Sequence, residues 1–171
     1  VFNEEKVILK TLDEIHSLTK EVIFYEIIVI NDGSSDQTGK ILSKYSDIIL
    51  INREINRGYG YSIKEGIKIA KGNSILIIDA DGSYPIDKIP TLINEYNLGQ
   101  GMVIGERTGE KVSISIINKF AKLILKVIIY ILTSKWIKDI NSGLRIFDKK
   151  LVERYWGIIP DGFSLTTTLT V

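Results

Sequence analysis

Short apolar runs alternate with helically periodic segments between residues 1 and 105. The runs are nearly continuous in apolar residues, as is typical of strands covered on both faces, and they span 26–31, 47–52, 74–78 and 102–105. The predicted helices run from an N-cap at Asn3 to about Thr19, from the 32–36 turn to about Tyr45, from the 56–60 loop to Lys71, and from Pro85 to about Asn97. This alternation predicts a doubly wound α/β fold with a mostly parallel sheet.

Composition narrows the chemistry that such a fold can perform. The chain has 171 residues, enough for one domain, and its net charge of +1 gives no electrostatic reason to expect a nucleic-acid partner. It has no cysteine and one histidine, His16, so any metal must be held mainly by oxygen, which favours Mg²⁺ or Mn²⁺. Strand character at Val1 and the lack of a stop signal after the 166–171 segment predict a single domain truncated at both ends.

Polar residues follow the predicted strands at their carboxyl ends, where ligands bind in open α/β sheets. Asp79 and Asp81 come directly after the 74–78 run, Asp32 follows the 26–31 run and Arg107 follows the 102–105 run. Two carboxylates two residues apart can face one divalent cation that bridges to a substrate diphosphate. The alternative is that both aspartates only solvate a loop and cap a helix.

Two further turns have competing interpretations. Asp32 can accept hydrogen bonds from a nucleobase or ribose, while Ser35 or Asp36 serves as the N-cap of the next helix. Gly58 and Gly60 resemble the start of a dinucleotide-binding fingerprint, but Ile63 occupies the third glycine position. We therefore interpret this loop as close backbone packing beside a nucleotide site.

The order and spacing of these motifs resemble family 2 glycosyltransferases of GT-A fold, a three-layer α/β/α sandwich. The motifs that carry the resemblance are 1–5, 30–38, 56–60 and 79–85. A closer likeness, to polyprenol-phosphate glycosyltransferases such as dolichol-phosphate mannosyltransferase, rests on 105–107, 139–147 and 161–164. The resemblance covers essentially the whole chain.

The resemblance implies an inverting, metal-dependent transfer of a sugar from a UDP- or GDP-linked donor to a polyprenyl phosphate such as dolichyl or undecaprenyl phosphate. Because that acceptor is already an anion, no strong general base is required. The implied catalytic residues are Asp81, Arg107 and Arg145, with the two arginines holding phosphates and Asp79 and Asp81 holding Mg²⁺ or Mn²⁺. The implied donor-binding residues are Asn3, Glu4, Asp32, Gly58, Gly60, Asp79, Ala80 and Ser142. Ser83 stands where relatives place a further metal contact, often a longer polar residue, and its role stays open.

The most apolar segment of the chain, 114–132, predicts an amphipathic helix. On a helix, its polar residues Ser115, Lys119, Lys122 and Lys126 form one narrow stripe opposite a broad apolar face. Such a helix suits a membrane interface, where the lysines meet lipid phosphates, and we expect a cytoplasmic protein peripheral to the cytosolic face of a membrane. The alternative is a core helix with one solvated edge.

Three other functions compete with glycosyl transfer. A nucleotidyltransferase also joins an α/β sheet to paired carboxylates, but it needs a basic glycine-rich loop near its first strand, where the 3–5 segment is acidic. A nicotinamide-dependent oxidoreductase needs the glycine that is missing at Ile63. A non-catalytic nucleotide-binding fragment is the remaining alternative, because the chain is truncated.

Overall fold

The computed structural model describes residues 1–19, 25–106, 127, 129–131, 137 and 139–170. The strands are β1 (Ile28–Asp32), β2 (Ile49–Arg53), β3 (Ser74–Ile77), β4 (Met102–Ile104) and β5 (Arg145–Asp148). The helices are α1 (Ile8–Thr19), α2 (Thr38–Leu42), α3 (Tyr59–Ile69), α4 (Ile89–Asn97), α5 (Lys149–Arg154) and α6 (Leu165–Thr170). A 3₁₀ turn, Ile86–Lys88, leads into α4.

The described strands form two hydrogen-bonded groups. Strand β1 pairs with β2 in parallel, and β5 lies between β3 and β4, antiparallel to both. In this register Ile146 stands opposite Leu76 on one side and Val103 on the other. The α/β class agrees with the prediction, whereas β5 and its antiparallel neighbours were not predicted. Strand β5 escapes periodicity analysis because Arg145 and Asp148 flank only two apolar residues.

Helices cover both faces of the β3–β5–β4 group, because side chains on a strand alternate between faces. Ile146 of β5 is buried with Ile89 and Leu92 of α4, while the next residue, Phe147, is buried on the other face with Ile67 of α3 and Val152 of α5. The sheet is therefore the middle layer of an α/β/α sandwich.

The β1–β2 pair is covered in the same way. Val29 packs with Leu12 of α1 and Leu42 of α2, whereas Ile30 lies beside Gly66 of α3. Both faces at the start of β1 are thus shielded from water, which explains why its first three residues are β-branched.

The predicted helix at the start of the chain begins later than expected. Helix α1 starts at Ile8 instead of at an N-cap on Asn3, because Asn3 has a positive φ of 57° and belongs to a loop. The other predicted helices and strands all overlap an observed element, with bounds that differ by a few residues. Helices α5 and α6 were not predicted.

Two predicted features lie mainly or wholly outside the described residues. Arg107 is one, and most of the 114–132 segment is the other; of that segment only Val127 and residues 129–131 are described, and these are helical. No helix formed by the described residues combines the length and the apolar character needed to cross a membrane.

Leu42 tests the core on the α1–α2 side of the sheet. Its side chain is fully buried, at 0% exposure, so Leu42→Ala should lower the free energy of unfolding by about 2–5 kcal/mol. The same substitution at Leu98, which is 74% exposed, should change it by less than about 0.5 kcal/mol. Urea denaturation of both variants measures the difference, and equal losses would contradict this core assignment.

Candidate active site

The loop that follows β3 presents two acidic side chains on either side of a core residue. Ala80 packs against the apolar cluster of α1, β1 and α2, which anchors the middle of the loop. Asp79 is half-buried, and Asp81 is exposed and accepts a hydrogen bond of 2.8 Å from the amide of Ser83 through Oδ1. Ser83 thus contributes its backbone to the shape of the loop. The packing of Ala80 fixes where both carboxylates emerge.

Asp79 lies directly against the backbone of Gly143. A Cβ atom built at Gly143 would overlap the Asp79 carboxyl group, so a side chain at residue 143 requires that carboxyl group to move. The amide of Gly143 donates a 2.5 Å hydrogen bond to the hydroxyl of Tyr84, which is buried. The loop before β5 and the loop after β3 therefore meet at a contact that sequence reasoning missed.

Tyr59, the first residue of α3, forms another side of the Asp79 environment. Burial, and then the negative charge of Asp79, raise the pKa of the Tyr59 hydroxyl. That hydroxyl is buried, and its hydrogen-bonding interaction with the Asp79 carboxylate contributes to the rise in its pKa. The Tyr59 ring stacks with that of Phe163, whose side chain is 84% exposed, at a centroid separation of 6.1 Å.

Asp32 is buried at the end of β1, and loop amides surround its carboxylate. Oδ1 accepts hydrogen bonds of 2.9 Å from the Arg57 amide and 2.8 Å from the Arg53 guanidinium, and Oδ2 accepts one of 2.8 Å from the Gly58 amide. Burial alone would raise the pKa of Asp32, but these hydrogen bonds outweigh it and hold the pKa below its ordinary value. Asp32 therefore organises the 56–58 loop, and its contact with a donor nucleoside stays a prediction.

Arg53 connects Asp32 to helix α3. Its guanidinium also donates to the Ser62 hydroxyl at 3.0 Å and is paired with Glu65. Asp32 and Arg53 stand opposite each other at the last register position of the parallel β1–β2 pair. This ion pair could have been predicted from the sequence, because two residues of opposite charge follow two consecutive predicted strands.

The loops before α1 and before α2 hold each other through reciprocal hydrogen bonds. Asn3 accepts the amide of Ser35 at 2.8 Å and donates its own amide to Ser34 at 2.9 Å. The amide of Glu4 donates to the Thr38 hydroxyl at 2.8 Å. Asn3 thus holds the two loops together through hydrogen bonds. The carboxylate of Glu4 lies near other acidic side chains.

Several carboxylates share this end of the sheet. Burial raises the pKa of Glu4, and the negative charges of Asp81 and Asp36 raise it further. Repulsion within such a group is the condition that a bound cation would relieve.

The donor set at the 79–81 loop fits a hard divalent cation. Carboxylate oxygens from Asp79 and Asp81 are the ligands that Mg²⁺ and Mn²⁺ prefer. Within the described ranges, no group of three Asp, Glu, His or Cys side chains is placed to hold a metal. A cation here would therefore complete its shell with substrate phosphate and water, which is how Mg²⁺ is usually bound beside phosphates.

The glycines of the 58–60 loop allow two backbones to approach closely. Gly58 has a positive φ of 94°, and a Cβ at Gly60 would overlap the backbone of Asp161 and Gly162. The amide of Tyr61 donates to the Asp161 carbonyl at 2.9 Å. Close backbone packing, as predicted for this loop, is therefore present, and no open phosphate cradle of the dinucleotide kind is formed at Gly60.

Ser142 and Arg145 are buried, at 0% exposure each. The Ser142 hydroxyl donates to the Gly105 carbonyl at 2.6 Å, which ties the 140–143 loop to the end of β4. The Arg145 guanidinium makes five hydrogen bonds, one from Nε and two from each Nη, and all go to groups of the protein itself. Both side chains are thus engaged within the protein, and the predicted donor contact of Ser142 and phosphate contact of Arg145 stay predictions.

Gly143→Ala tests the contact with Asp79. The added methyl group must displace the Asp79 carboxylate or the 140–143 loop, so the free energy of unfolding should fall by about 1–3 kcal/mol. Gly157 has open space around its Cβ position and no positive φ, so Gly157→Ala should leave the stability unchanged or raise it by about 0.4–1 kcal/mol. Thermal or urea unfolding compares the two, and opposite signs are expected.

Asp32→Asn tests the charged hydrogen-bond network of the 56–58 loop. Because the folded pKa of Asp32 is lowered from 3.8, its stabilising contribution is full above that pH and is lost as the pH falls through the folded pKa. At about pH 7 the variant should therefore be less stable than the wild type by about 1–3 kcal/mol, and the gap should close in acid. Urea unfolding across this pH range measures it, with Asp87→Asn, an exposed carboxylate, as the control that shows no gap.

Relatives of known name share the sequence over most of this chain. A dolichyl-phosphate beta-glucosyltransferase of Trichomonas vaginalis is 30% identical over 165 residues, covering 87% of this chain and 51% of the relative. A bactoprenol glucosyl transferase of Shigella phage SfV is 31% identical over 160 residues, covering 90% of this chain and 51% of the relative. The chain thus spans about half the length of these curated relatives.

Solved structures share the fold, and the family model matches most of the chain. Glucosyl-3-phosphoglycerate synthase from Mycobacterium tuberculosis, crystallised with Mn²⁺, UDP-glucose and phosphoglyceric acid, superposes with a TM-score of 0.74 at 20% identity and covers 99% of this chain and 60% of that one. This likeness shows the fold, which is GT-A. The model of glycosyl transferase family 2 matches residues 1–156, and the chain belongs to that family.

Proposed function

We propose that this chain is the catalytic part of an inverting glycosyltransferase that moves a sugar from a nucleoside diphosphate sugar to a polyprenyl phosphate, with Mg²⁺ or Mn²⁺. The observation that carries the proposal is the acidic loop after β3, where Asp79 rests against Gly143 and Asp81 is exposed. Family membership supports glycosyl transfer as the reaction. The names of the relatives, which act on dolichyl phosphate and bactoprenol, support the class of acceptor.

Asp79 and Asp81 would hold the divalent cation on the donor side. When bound, the cation supplies Lewis-acid stabilisation of the departing diphosphate. The protein's own part is positional: Ala80 anchors the loop in the core, and Gly143 lets Asp79 lie against the neighbouring backbone. Fixed carboxylates need no reorganisation during the reaction, which is how preorganised sites lower a barrier.

The nucleoside would lie toward the loops that Asp32 and Asn3 organise. The 56–58 loop is held by hydrogen bonds to Asp32 at the end of β1. The 34–38 loop, which follows β1, is held by a hydrogen bond to Asn3. Glu4 and the acidic loop lie on the same side, since the charge of Asp81 reaches Glu4. UDP-glucose is the first donor to test, because the relatives are named glucosyltransferases and a structure of the same fold holds UDP-glucose.

The acceptor oxygen would attack the anomeric carbon from the face opposite the diphosphate. A new carbon–oxygen bond forms as the bond to the diphosphate breaks, so the configuration inverts. A phosphate monoester already carries anionic oxygens at neutral pH that can attack without first losing a proton, so a strong general base is unnecessary. Because the acceptor is a membrane lipid, we propose that the enzyme works peripherally at the cytosolic face of a membrane, with the 114–132 segment as the contact predicted from sequence.

Asp81→Asn tests the donor and metal site without changing the size of the side chain. Binding of UDP-glucose, measured by calorimetry with the 171-residue chain, should depend on Mn²⁺ in the wild type. Removing the Asp81 charge should weaken that binding by at least about tenfold, since even outer-shell metal contacts cause such losses. Binding of GDP-linked sugars in the same assay shows which nucleotide base the site prefers. In a separate transfer assay, a short polyprenyl phosphate should be a better acceptor than a free sugar.

Asp87→Asn is the matched control, because Asp87 is an exposed aspartate on the 3₁₀ turn before α4. It should bind UDP-glucose as the wild type does. Equal binding with and without metal, or equal losses in the Asp81 and Asp87 variants, would overturn the metal site. Preference for the free sugar would overturn the lipid-phosphate acceptor.

A further inference from the structure

Helix α6 is connected to the loop that contacts Asp79. Arg145 Nη1 donates to the Thr166 carbonyl at 2.8 Å and to the Thr170 hydroxyl at 3.1 Å, both on α6. The other nitrogens donate to the Ser142 carbonyl, from Nε at 3.1 Å and from Nη2 at 2.5 Å, and to the Ile140 carbonyl at 3.3 Å. One guanidinium therefore bridges the helix and the 140–142 segment.

Two threonines of α6 make further bonds to the same segment. The Thr167 hydroxyl donates to Asn141 Oδ1 at 2.7 Å. The one proton of the Thr170 hydroxyl is shared between the Thr166 carbonyl of its own helix, at 2.7 Å, and the Ile140 carbonyl, at 3.2 Å. Together with Arg145, these bonds engage three consecutive residues, 140–142, immediately before Gly143. The threonine-rich sequence of α6 is thus explained by the polar face that it turns toward this loop.

Arg145 carries a full charge in the protein interior. Burial lowers its pKa, and the negative charges of Asp79 and Asp139 oppose that decrease. An arginine stays protonated at neutral pH, so its five N–H groups all need acceptors. Three backbone carbonyls, those of Ile140, Ser142 and Thr166, accept four of these hydrogen bonds, two of them at Ser142, and the Thr170 hydroxyl accepts the fifth. If the acceptors on one side of Arg145 are lost, a buried N–H group has no hydrogen bond, and this lowers the stability of the folded state.

A series of contacts leads from the Arg145 guanidinium to the candidate active site. Ser142, whose carbonyl takes two of the bonds, precedes Gly143, and Gly143 lies against the Asp79 carboxylate. A shift of the 140–142 segment therefore moves the surface on which Asp79 rests. Well-packed interiors transmit such shifts instead of absorbing them.

We propose that Arg145 is a positioning residue that couples helix α6 to the Asp79 carboxylate through the 140–143 loop. The proposal rests on the proposed function for its effect on donor binding, and on the hydrogen bonds alone for its effect on the loop. It gives α6, which lies outside the segment matched by the family model, a part in shaping the site. Arg145 acts here through the loop and touches no substrate.

The test cuts the bonds from the helix side and leaves Arg145 and the acidic loop unchanged. A double variant, Thr167→Val with Thr170→Val, keeps side-chain shape and removes both threonine hydroxyls that reach the segment. Thr168→Val is the matched control, because its hydroxyl makes no hydrogen bond to any residue that the structure describes. Arg145→Lys and Arg145→Met complete the set, with lysine keeping the charge but offering fewer donors.

Hydrogen exchange of the ligand-free protein is the first readout. Exchange at the amides of residues 141–144 should be about ten- to thirtyfold faster in the double threonine variant, as expected from losing two hydrogen bonds, and unchanged in Thr168→Val. The second readout is the Kd for UDP-glucose with Mn²⁺, which should rise by about tenfold in the double variant. Arg145→Lys should lie between the wild type and Arg145→Met in both readouts if the latter folds.

The two readouts separate failure of this inference from failure of the proposed function. Unchanged exchange at residues 141–144 in the double variant overturns the coupling, whatever the chain binds. Faster exchange with an unchanged Kd overturns the effect on the site while leaving the proposed donor in place. If the wild type binds no sugar nucleotide, the proposed function fails, and the exchange readout alone decides whether α6 is coupled to the loop.

Discussion

The contact between the Asp79 carboxylate and the backbone of Gly143 is the constraint on which the site depends. It joins the loop after β3 to the loop before β5, two parts of the chain separated by more than sixty residues in sequence but adjacent across one sheet pairing. A side chain at residue 143 would displace the Asp79 carboxyl group, so the close approach of the two loops depends on glycine at this position. Tyr84 strengthens it by accepting the Gly143 amide.

The acidic residues around this contact have different roles because their surroundings differ. Asp32 is saturated with donors from the 56–58 loop and from Arg53, which lowers its pKa and makes it part of the framework. Glu4 is partly buried near other acidic side chains, and its pKa is raised by burial and by their negative charges. Asp81 is exposed, with one oxygen engaged by the Ser83 amide. Residues of one chemical type thus divide into those that hold the loops and those available to a cation.

Two arginines, Arg53 and Arg145, hold two hydrogen-bond networks together in a similar way. Arg53 links two carboxylates and a hydroxyl beneath the 56–58 loop, while Arg145 links carbonyls beneath the 140–143 loop. Arg145 makes five hydrogen bonds to protein groups, and Arg53 makes three, to Asp32, Ser62 and Glu65. The planar guanidinium suits this task because it offers five N–H groups in directions that a single lysine cannot match.

Sequence alone determined the alternation of strands and helices, the order of the motifs and the positions of the acidic residues at strand ends, because hydrophobic periodicity and turn chemistry are local. It placed Asp79, Asp81 and Asp32 at one edge of the sheet by the rule that parallel strands end together. It did not determine β5, which has only two apolar residues, or the burial of Ser142 and Arg145, for which the family resemblance implied contacts with the ligands. Only the tertiary structure decided that these two are buried and that α6 supplies the acceptors for Arg145, because burial and hydrogen-bond partners depend on which distant segments meet.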